Sequence, residues 1–382
     1  MKEELELAFR SRSLTFTSQI EPLTSYHTSG NRREIERGEQ LLASGKVGAI
    51  VLAGGLGTRL GWQGPKGTFP LTRFARRSLL QFVCDRARAA STYYGRALPL
   101  AFMVSPLNEQ KTKEHLGGET VDFFTQEMAP FLDLEGKALP LQGPSGNGDA
   151  LRSFYKSGLL KKWKKAGVEF VTVIPIDNIL ADPFDANLVG FHALSDADVT
   201  VKAILRESAE EQLGVLGSCD GKLQVIEYFE LPEEERLCKT PQGLKWQVAH
   251  ITLFSFSLSF VESIQSVHLP WHFARKEAEG TPVYKCEKFI FDLLDHARSG
   301  RVLVYPREET YAPLKNREGE NSPEMVRKAL LAFDQLQFSK VTGKKTEATF
   351  ELDPAFYYPT EQLKEKWAGE QAPRDCYVEP ML

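Results

Sequence analysis

Residues 48–71, GAIVLAGGLGTRLGWQGPKGTFPL, set an apolar, strand-like run directly before a glycine-rich turn that carries an arginine and a lysine. Glycines at 54, 55 and 57 let the backbone turn with positive φ and approach a ligand with no Cβ in the way, leaving amide N–H groups to face anionic oxygens. Arg59 and Lys66 add fixed positive charge suited to phosphates. A strand ending in such a turn opens a nucleotide site in an α/β sheet, and this composition suits a nucleoside triphosphate. The spacing excludes the two commonest alternatives. Gly55, Gly57 and Gly61 read GxGxxxG where a dinucleotide fold takes GxGxxG, and no GxxxxGK[ST] of a P-loop is present. The plainer reading, a strand-to-helix turn without a ligand, leaves Arg59 and Lys66 unexplained.

Outward from this turn, strand-like runs alternate with helix-period segments, the pattern of a mostly parallel sheet covered on both faces. Strands are predicted at 49–53, 100–105, 170–175, 199–205 and 251–257, and helices at 78–90, 149–167 and 287–300. Residues 1–45 read as a helical N-terminal region, 46–300 as the catalytic domain, and 301–382 as a small C-terminal region with a helix opening at Ser322-Pro323. The predicted fold is therefore α/β, a Rossmann-like mixed sheet with small flanking regions. Ligands gather at the carboxyl ends of strands in such sheets, where residues 54–61, Asp177 and the 143–149 turn all fall.

Bulk composition narrows the partners. Charged residues make up 26% of 382 and the formal net charge is −4, so no basic surface recommends nucleic acid. The cysteines at 84, 219, 238, 286 and 376 form an odd set without a CxxC pair, which argues against a disulfide framework or a zinc site. MKEELELAFRSRS lacks the apolar core of a signal peptide, and no apolar run approaches the length of a membrane span. The expectation is a cytoplasmic enzyme with no membrane partner. Histidines 27, 115, 192, 250, 268, 272 and 296 include no helical metal pair, because Pro270 separates His268 from His272, and they read as structural or solvated. The basic run 160–167, LKKWKKAG, reads as a solvated helix face.

LAGGLGTRLGWQGPKG (52–67) resembles the signature of the eukaryotic-type UDP-sugar pyrophosphorylases, and most closely that of the UDP-N-acetylglucosamine pyrophosphorylases. The resemblance continues through FFTQEMAPFLDLEGK (123–137), GPSGNGD (143–149), IPIDNILADP (174–183), GVLGSCDGKLQVIEYFEL (214–231), CEKFIFDLL (286–294) and YAPLKN (311–316). It covers roughly residues 45–320 in family order. It implies a nucleotidyltransferase that joins UTP to a sugar 1-phosphate with Mg2+ and releases pyrophosphate. Such chemistry rests on positioning and charge neutralisation, which agrees with the lack of any Ser-His-Asp or Cys-His constellation.

The resemblance also implies roles for single residues. Arg59 and Lys66 would hold the β- and γ-phosphates, with backbone at Ala53, Gly54, Gly55 and Gly57 around the nucleotide. Gln126 would read the uracil edge, where an amide donates and accepts at once. Gly146 would pass along the base and Asn147 reach the sugar. Asp177 would hold the metal, Lys315 the α-phosphate or the sugar phosphate, and Glu227 and Tyr228 the sugar hydroxyls. Phe289 and Phe291 would wall the acyl group. Taken without the family, Gln126 is an ordinary polar residue, PSGNG a turn, Asp177 or Asn178 a cap, Lys315 a surface lysine, and one of the two phenylalanines core.

Two departures bear on the sugar. The chain has GNGD at 146–149 where N-acetylglucosamine enzymes carry GNGG, an aspartate like that of the UDP-glucose branch. The family's asparagine-rich strand is here WQVAHITLF (246–254), with Gln247 and His250 near the sugar-contacting place. The chain is also shorter than the eukaryotic relatives at both ends, so the expectation is a monomer or weak homo-oligomer. N-acetylglucosamine 1-phosphate is the first expectation for the acceptor and glucose 1-phosphate the second. A non-catalytic UDP-sugar sensor is the alternative from another class, although it has no use for cations that hold pyrophosphate. A dinucleotide-dependent oxidoreductase would require protection by NAD, which the glycine spacing does not predict.

Overall fold

The structure, a computed structural model, describes residues 1–10, 19–241, 243–278 and 280–380. Its frame is a sheet whose main path comprises β1 (His27–Thr28), β2 (Val47–Leu52), β3 (Leu100–Val104), β4 (Asp122–Thr125), β5 (Phe170–Pro175), β6 (Val199–Leu205), β7 (Val248–Ser257) and β8 (Gly300–Val304). The spatial order is β1-β8-β6-β7-β5-β2-β3-β4. Every neighbouring pair is parallel except those made by β7, which runs antiparallel to β5 and β6. Every residue of β2 is buried, as a strand covered on both faces requires. Successive side chains point to opposite faces, so Val47, Ala49 and Val51 join one apolar core and Ile50 and Leu52 the other.

Chain order reverses beside β2. From β2 the chain adds β3 and β4 on one side, then crosses back to lay β5 on the other. Leu52 stands in register with Pro175, so the loops that follow β2 and β5 leave the sheet side by side. That switch point is where α/β sheets bind ligands.

The helix over 78–90 forms as Leu79–Tyr93, opened by a capping box in which Ser78 and Gln81 satisfy each other's backbone amides. Two other predicted helices are corrected. Residues 149–167 break into Ala150–Lys156 and Leu159–Lys165 around Gly158, whose φ of +83° ends the first and starts the second. Residues 287–300 are not an α-helix: a strand, Thr281–Glu287, runs into a 3-10 segment, Ile290–His296. Lys288 explains the difference, because its N–H and C=O are bonded to Ser145 and Gly148 at 2.8 Å rather than along a helix.

The central sheet draws on both flanks. The N-terminal region holds helices Lys2–Arg10 and Arg32–Ala43 but also β1, and β8 lies in the stretch the sequence places across the 300 boundary. After β8 come helix Pro323–Thr342, capped by Ser322, and a parallel pair of short strands, Phe350–Leu352 and Cys376–Val378, with an apolar cluster of their own. A separate four-stranded sheet of His272–Ala278, Thr281–Glu287, Met128–Leu132 and Ala138–Pro144 stands beside the switch point. Among the described residues no helix is long and apolar enough to cross a membrane.

Candidate active site

Beyond β2 the chain turns through Gly54 and Gly55, makes a 3-10 turn at Thr58–Leu60, reverses at Gly61 and returns to a second one, Lys66–Thr68. Gly57 N–H donates to the Gly64 carbonyl at 2.9 Å and Lys66 N–H to that of Gly55 at 3.1 Å. Behind the loop the buried Asn108 donates from Nδ2 to the carbonyls of Ala53 (2.8 Å) and Gly55 (3.3 Å). The carbonyls of Ala53, Gly55, Gly57 and Gly64 are thus taken up, while the amides of Gly54 and Gly55 make no hydrogen bond among the described residues. Those two N–H groups are the ones left for anionic oxygens. The amide expected of Gly57 is instead spent on Gly64, and the Ala53 N–H donates to Met103 C=O (2.8 Å). Gln126 is buried and lies against the same turn: a Cβ on Gly54 would stand 1.9 Å from its Nε2.

Asp177 leaves the end of β5 and meets this loop, with Oδ2 at 2.9 Å from Lys66 Nζ. Its other oxygen accepts no hydrogen bond among the described residues. Burial alone would raise this carboxyl, but Lys66, Lys315 and Arg59 together hold it below the usual carboxylate range. Lys315 is brought in by its neighbour in sequence to Asp177. The buried Asn178 donates from Nδ2 to Thr310 C=O (2.8 Å) and accepts Ala312 N–H (2.9 Å), and Leu314 N–H donates to Asp177 C=O (2.7 Å). The sequence offered Asn178 only as a cap; it is the clamp that seats the YAPLKN segment.

Across from these charges stand Asn147, Glu227, His250 and Thr252. Asn147 is oriented by Ile290, whose N–H donates to its Oδ1 at 2.9 Å, and Gly146 (φ +86°) pairs with Lys288 so closely that a Cβ would lie 2.4 Å from the Lys288 carbonyl. Glu227 Oε1 lies 3.5 Å from His250 Nε2. A register shift between His250 and Leu253 bulges β7, and Thr252 takes φ +58°, a strained conformation for a β-branched residue. Bulge and strain place His250, Ile251 and Thr252 on the cavity wall, for which the sequence carries no signal at Thr252. Gln247 lies off the wall, its carbonyl accepting Arg206 N–H at 2.8 Å.

These residues enclose a cavity of about 400 Å³ that brings together Gly55, Arg59, Lys66, Asn147, Asp177, Glu227 and Lys315. Gln126 and Gly54 sit immediately beside it. Tyr228, Phe289 and Phe291, expected around the sugar, stand off the cavity wall. Tyr228 packs edge-on against Phe229 at 5.4 Å, off the cavity wall. Phe291 is a core residue, and Phe289 stacks on it at 5.0 Å, one layer behind His250. Asp149 does not face the cavity either: it is buried in a 3.2 Å ion pair with the buried Lys288. A grouping of three cations around one carboxylate can neutralise a polyphosphate; it has no nucleophile–base pair for covalent chemistry.

Comparison with known proteins agrees with this geometry. Residues 10–349 match the family described as UTP–glucose-1-phosphate uridylyltransferase. The human UDP-N-acetylhexosamine pyrophosphorylase-like protein 1 is 31% identical over 338 residues, covering 78% of this chain and 67% of that protein. UDP-N-acetylglucosamine diphosphorylase 2 of Arabidopsis thaliana is 29% identical over 385 residues, covering 89% of this chain and 77% of that protein. The fold matches the crystal structure of the uridine diphosphate N-acetylglucosamine pyrophosphorylase from Trypanosoma brucei with a TM-score of 0.82 at 23% identity, over 96% of this chain and 85% of that one. With its glycine loop, its switch-point carboxylate and this match along most of its length, the chain belongs to the UTP–glucose-1-phosphate uridylyltransferase family.

Proposed function

We propose that this protein transfers the uridylyl group of UTP to a sugar 1-phosphate, with N-acetylglucosamine 1-phosphate as the preferred acceptor. An oxygen of the sugar phosphate forms a bond to the α-phosphorus as the bond to the β-phosphate oxygen breaks, and pyrophosphate departs. The nucleophile is already an anion, so no base is needed; the barrier is the repulsion between two phosphates and the charge on the leaving group. The observation that carries this reading is the convergence of Arg59, Lys66 and Lys315, from distant stretches of chain, on the cavity that also holds Asn147 and Glu227. In this reading Arg59 and Lys66 hold the departing pyrophosphate, Lys315 lies between the two reacting phosphates, and the Gly54 and Gly55 amides bind the nucleotide. Gln126 reads the base, and Asn147 and Glu227 receive the sugar hydroxyls.

Asp177 fits a hard divalent ion that arrives with the nucleotide, since its free oxygen supplies one ligand and phosphate oxygens and waters the rest. Mg2+ there would neutralise phosphate charge. Among the described residues no cluster of three ligating side chains exists to hold a metal without substrate. The acceptor reading is supported by the names of the hexosamine and N-acetylglucosamine relatives, and the family's description supports glucose 1-phosphate as second. Three cations beside one carboxylate favour an enzyme over a sensor of UDP-sugar. We place the reaction in the cytoplasm, in a monomer or weak homo-oligomer. The test is pyrophosphate release from UTP with Mg2+ across a panel of sugar 1-phosphates. Release with N-acetylglucosamine 1-phosphate foremost is expected; release with none of them would leave the sensor reading.

A further inference from the structure

His272 opens the strand His272–Ala278 and is almost fully buried, yet both of its ring nitrogens face carboxylates. Nδ1 lies 3.0 Å from Glu230 Oε1 and Nε2 3.0 Å from Asp292 Oδ2. A carboxylate oxygen accepting at each nitrogen calls for two N–H donors, hence an imidazolium, and the charged ring in turn opposes the rise that burial gives the Asp292 carboxyl. Burial would lower the ring's pKa, but the bonds to Asp292 and Glu230 push it up to about 10.

Each partner leads to the cavity. Glu230 uses Oε2 to accept Glu227 N–H at 3.2 Å, and its own N–H donates to Glu227 C=O at 2.9 Å, so the turn bearing Glu227 is closed by the residue His272 grips. Asp292 closes the turn of Phe289 and Ile290 with its backbone, its N–H donating to Phe289 C=O (3.2 Å), and Ile290 N–H in turn orients Asn147. Phe289 lies against the His272 ring at 4.8 Å, and Phe291 against His250 at 5.3 Å. His272 is also paired across its strand with Glu287, another residue of the cavity wall. Arg59, Lys66 and Asp177 are held by other means, in the loops that follow β2 and β5, and Lys315 by the segment that Asn178 seats.

We propose that His272 is a positioning residue: a doubly bonded, charged staple that fixes the distance between the Glu227 turn and the Asn147–Ile290 contact, and thereby selects the sugar half of the acceptor. This rests on the uridylyltransferase reading. His272 touches no substrate; its loss leaves two half-buried carboxylates without the cation between them, and the wall spreads.

The test compares wild type with His272→Gln and with His272→Gln/Asp292→Asn, which removes the leftover repulsion. Both variants are expected to raise KM for N-acetylglucosamine 1-phosphate by about tenfold or more, with kcat and KM for UTP changed less than about threefold. Equal rises in both KM values, or a loss confined to kcat, would overturn the proposal. Amide hydrogen exchange is read alongside: it should quicken at 227–231 and 289–293 and stay unchanged at 54–67, and no change at the first two segments refutes the staple even if wild type releases no pyrophosphate. Should neither variant fold, 15N spectra of histidine-labelled wild type at pH 8 decide, since a neutral His272 ring is incompatible with the staple.

Discussion

Lys66 and Asp177 are bonded to each other at 2.9 Å, the lysine rising from the glycine loop after β2 and the aspartate from the end of β5. The pair locks the two sides of the switch point, and a triphosphate entering the cavity competes with Asp177 for the lysine. Lys66→Ala should therefore cut kcat by roughly 10²–10³ fold through lost stabilisation of the leaving group. UDP-sugar, which has no departing pyrophosphate for Lys66 to hold, should bind nearly as before. Steady-state kinetics beside calorimetric titration of UDP-N-acetylglucosamine checks this, and equal losses in turnover and affinity would count against the role given to Lys66.

Gly54 gives a test of the base-reading role proposed for Gln126 that leaves folding aside. A methyl there would collide with the end of the Gln126 side chain, a group that can swing away, and with nothing more rigid. Gly54→Ala is expected to leave the melting temperature within about 1 °C of wild type, a shift worth under about 1 kcal/mol in a chain of this size. KM for UTP should rise several-fold, and preference for UTP over CTP should fall as Gln126 leaves its place. A variant that discriminates the two nucleotides as well as wild type would show that Gln126 does not read the base.

Buried strands are legible because a parallel sheet writes continuous apolar runs: 170–175 and 199–205 form over the predicted residues, and β2 and β3 lie within two residues of expectation. The phosphate side of the site was legible for the same reason, since glycines, Arg59, Lys66 and Asp177 lie next to strand ends in sequence. The sugar side depends on tertiary contacts that leave no local trace. Lys288 forgoes a helix because Ser145 and Gly148 take its backbone bonds, and Thr252 is forced to positive φ by a bulge in β7. Asn178 reads as a turn residue, and only the fold reveals that it seats the segment of Lys315.

That seating is testable at Asn178. Asn178→Ala removes a donor and an acceptor, stranding Thr310 C=O and Ala312 N–H in a buried place at a cost of about 2–4 kcal/mol. Urea unfolding should register the loss. Activity should fall further than the unfolded fraction accounts for, because Lys315 is no longer held beside Asp177. A variant destabilised to this extent but with full turnover per folded molecule would remove Lys315 from the catalytic set.

Asp334, on helix Pro323–Thr342, is wholly buried, accepting Tyr357 O–H at 2.5 Å and Leu352 N–H at 3.1 Å. Burial pushes its carboxyl up to about 8, against the opposing bonds from Tyr357 and Leu352. An acid raised on folding binds its proton in the native state while the unfolded chain has lost it. Stability is therefore lost as pH rises from about 4 to about 8, at up to about 1.4 kcal/mol per unit, and the loss is complete above that window. Asp334→Asn mimics the protonated form, so its stability should fall less than that of wild type between pH 5 and pH 9. Parallel slopes in the two proteins, measured by chemical denaturation, would contradict this account.

Asp149 tests whether the GNGD sequence governs the acceptor. As a departure from GNGG it pointed to the UDP-glucose branch, yet its carboxylate is buried against Lys288, whose ammonium also lies 4.5 Å from the Trp271 ring, and neither charge faces the cavity. Asp149→Gly restores the N-acetylglucosamine-type sequence and leaves Lys288 buried without its counter-charge, a change that costs about 3–5 kcal/mol in such pairs. The expected result is a lower melting temperature with the ratio of kcat/KM for N-acetylglucosamine 1-phosphate and glucose 1-phosphate unchanged within about threefold. Pairing the substitution with Lys288→Met should recover much of the stability while leaving that ratio alone. If either variant shifts the ratio towards the acetylated sugar by tenfold or more, the loop chooses the acceptor directly, and the ion pair is more than a support.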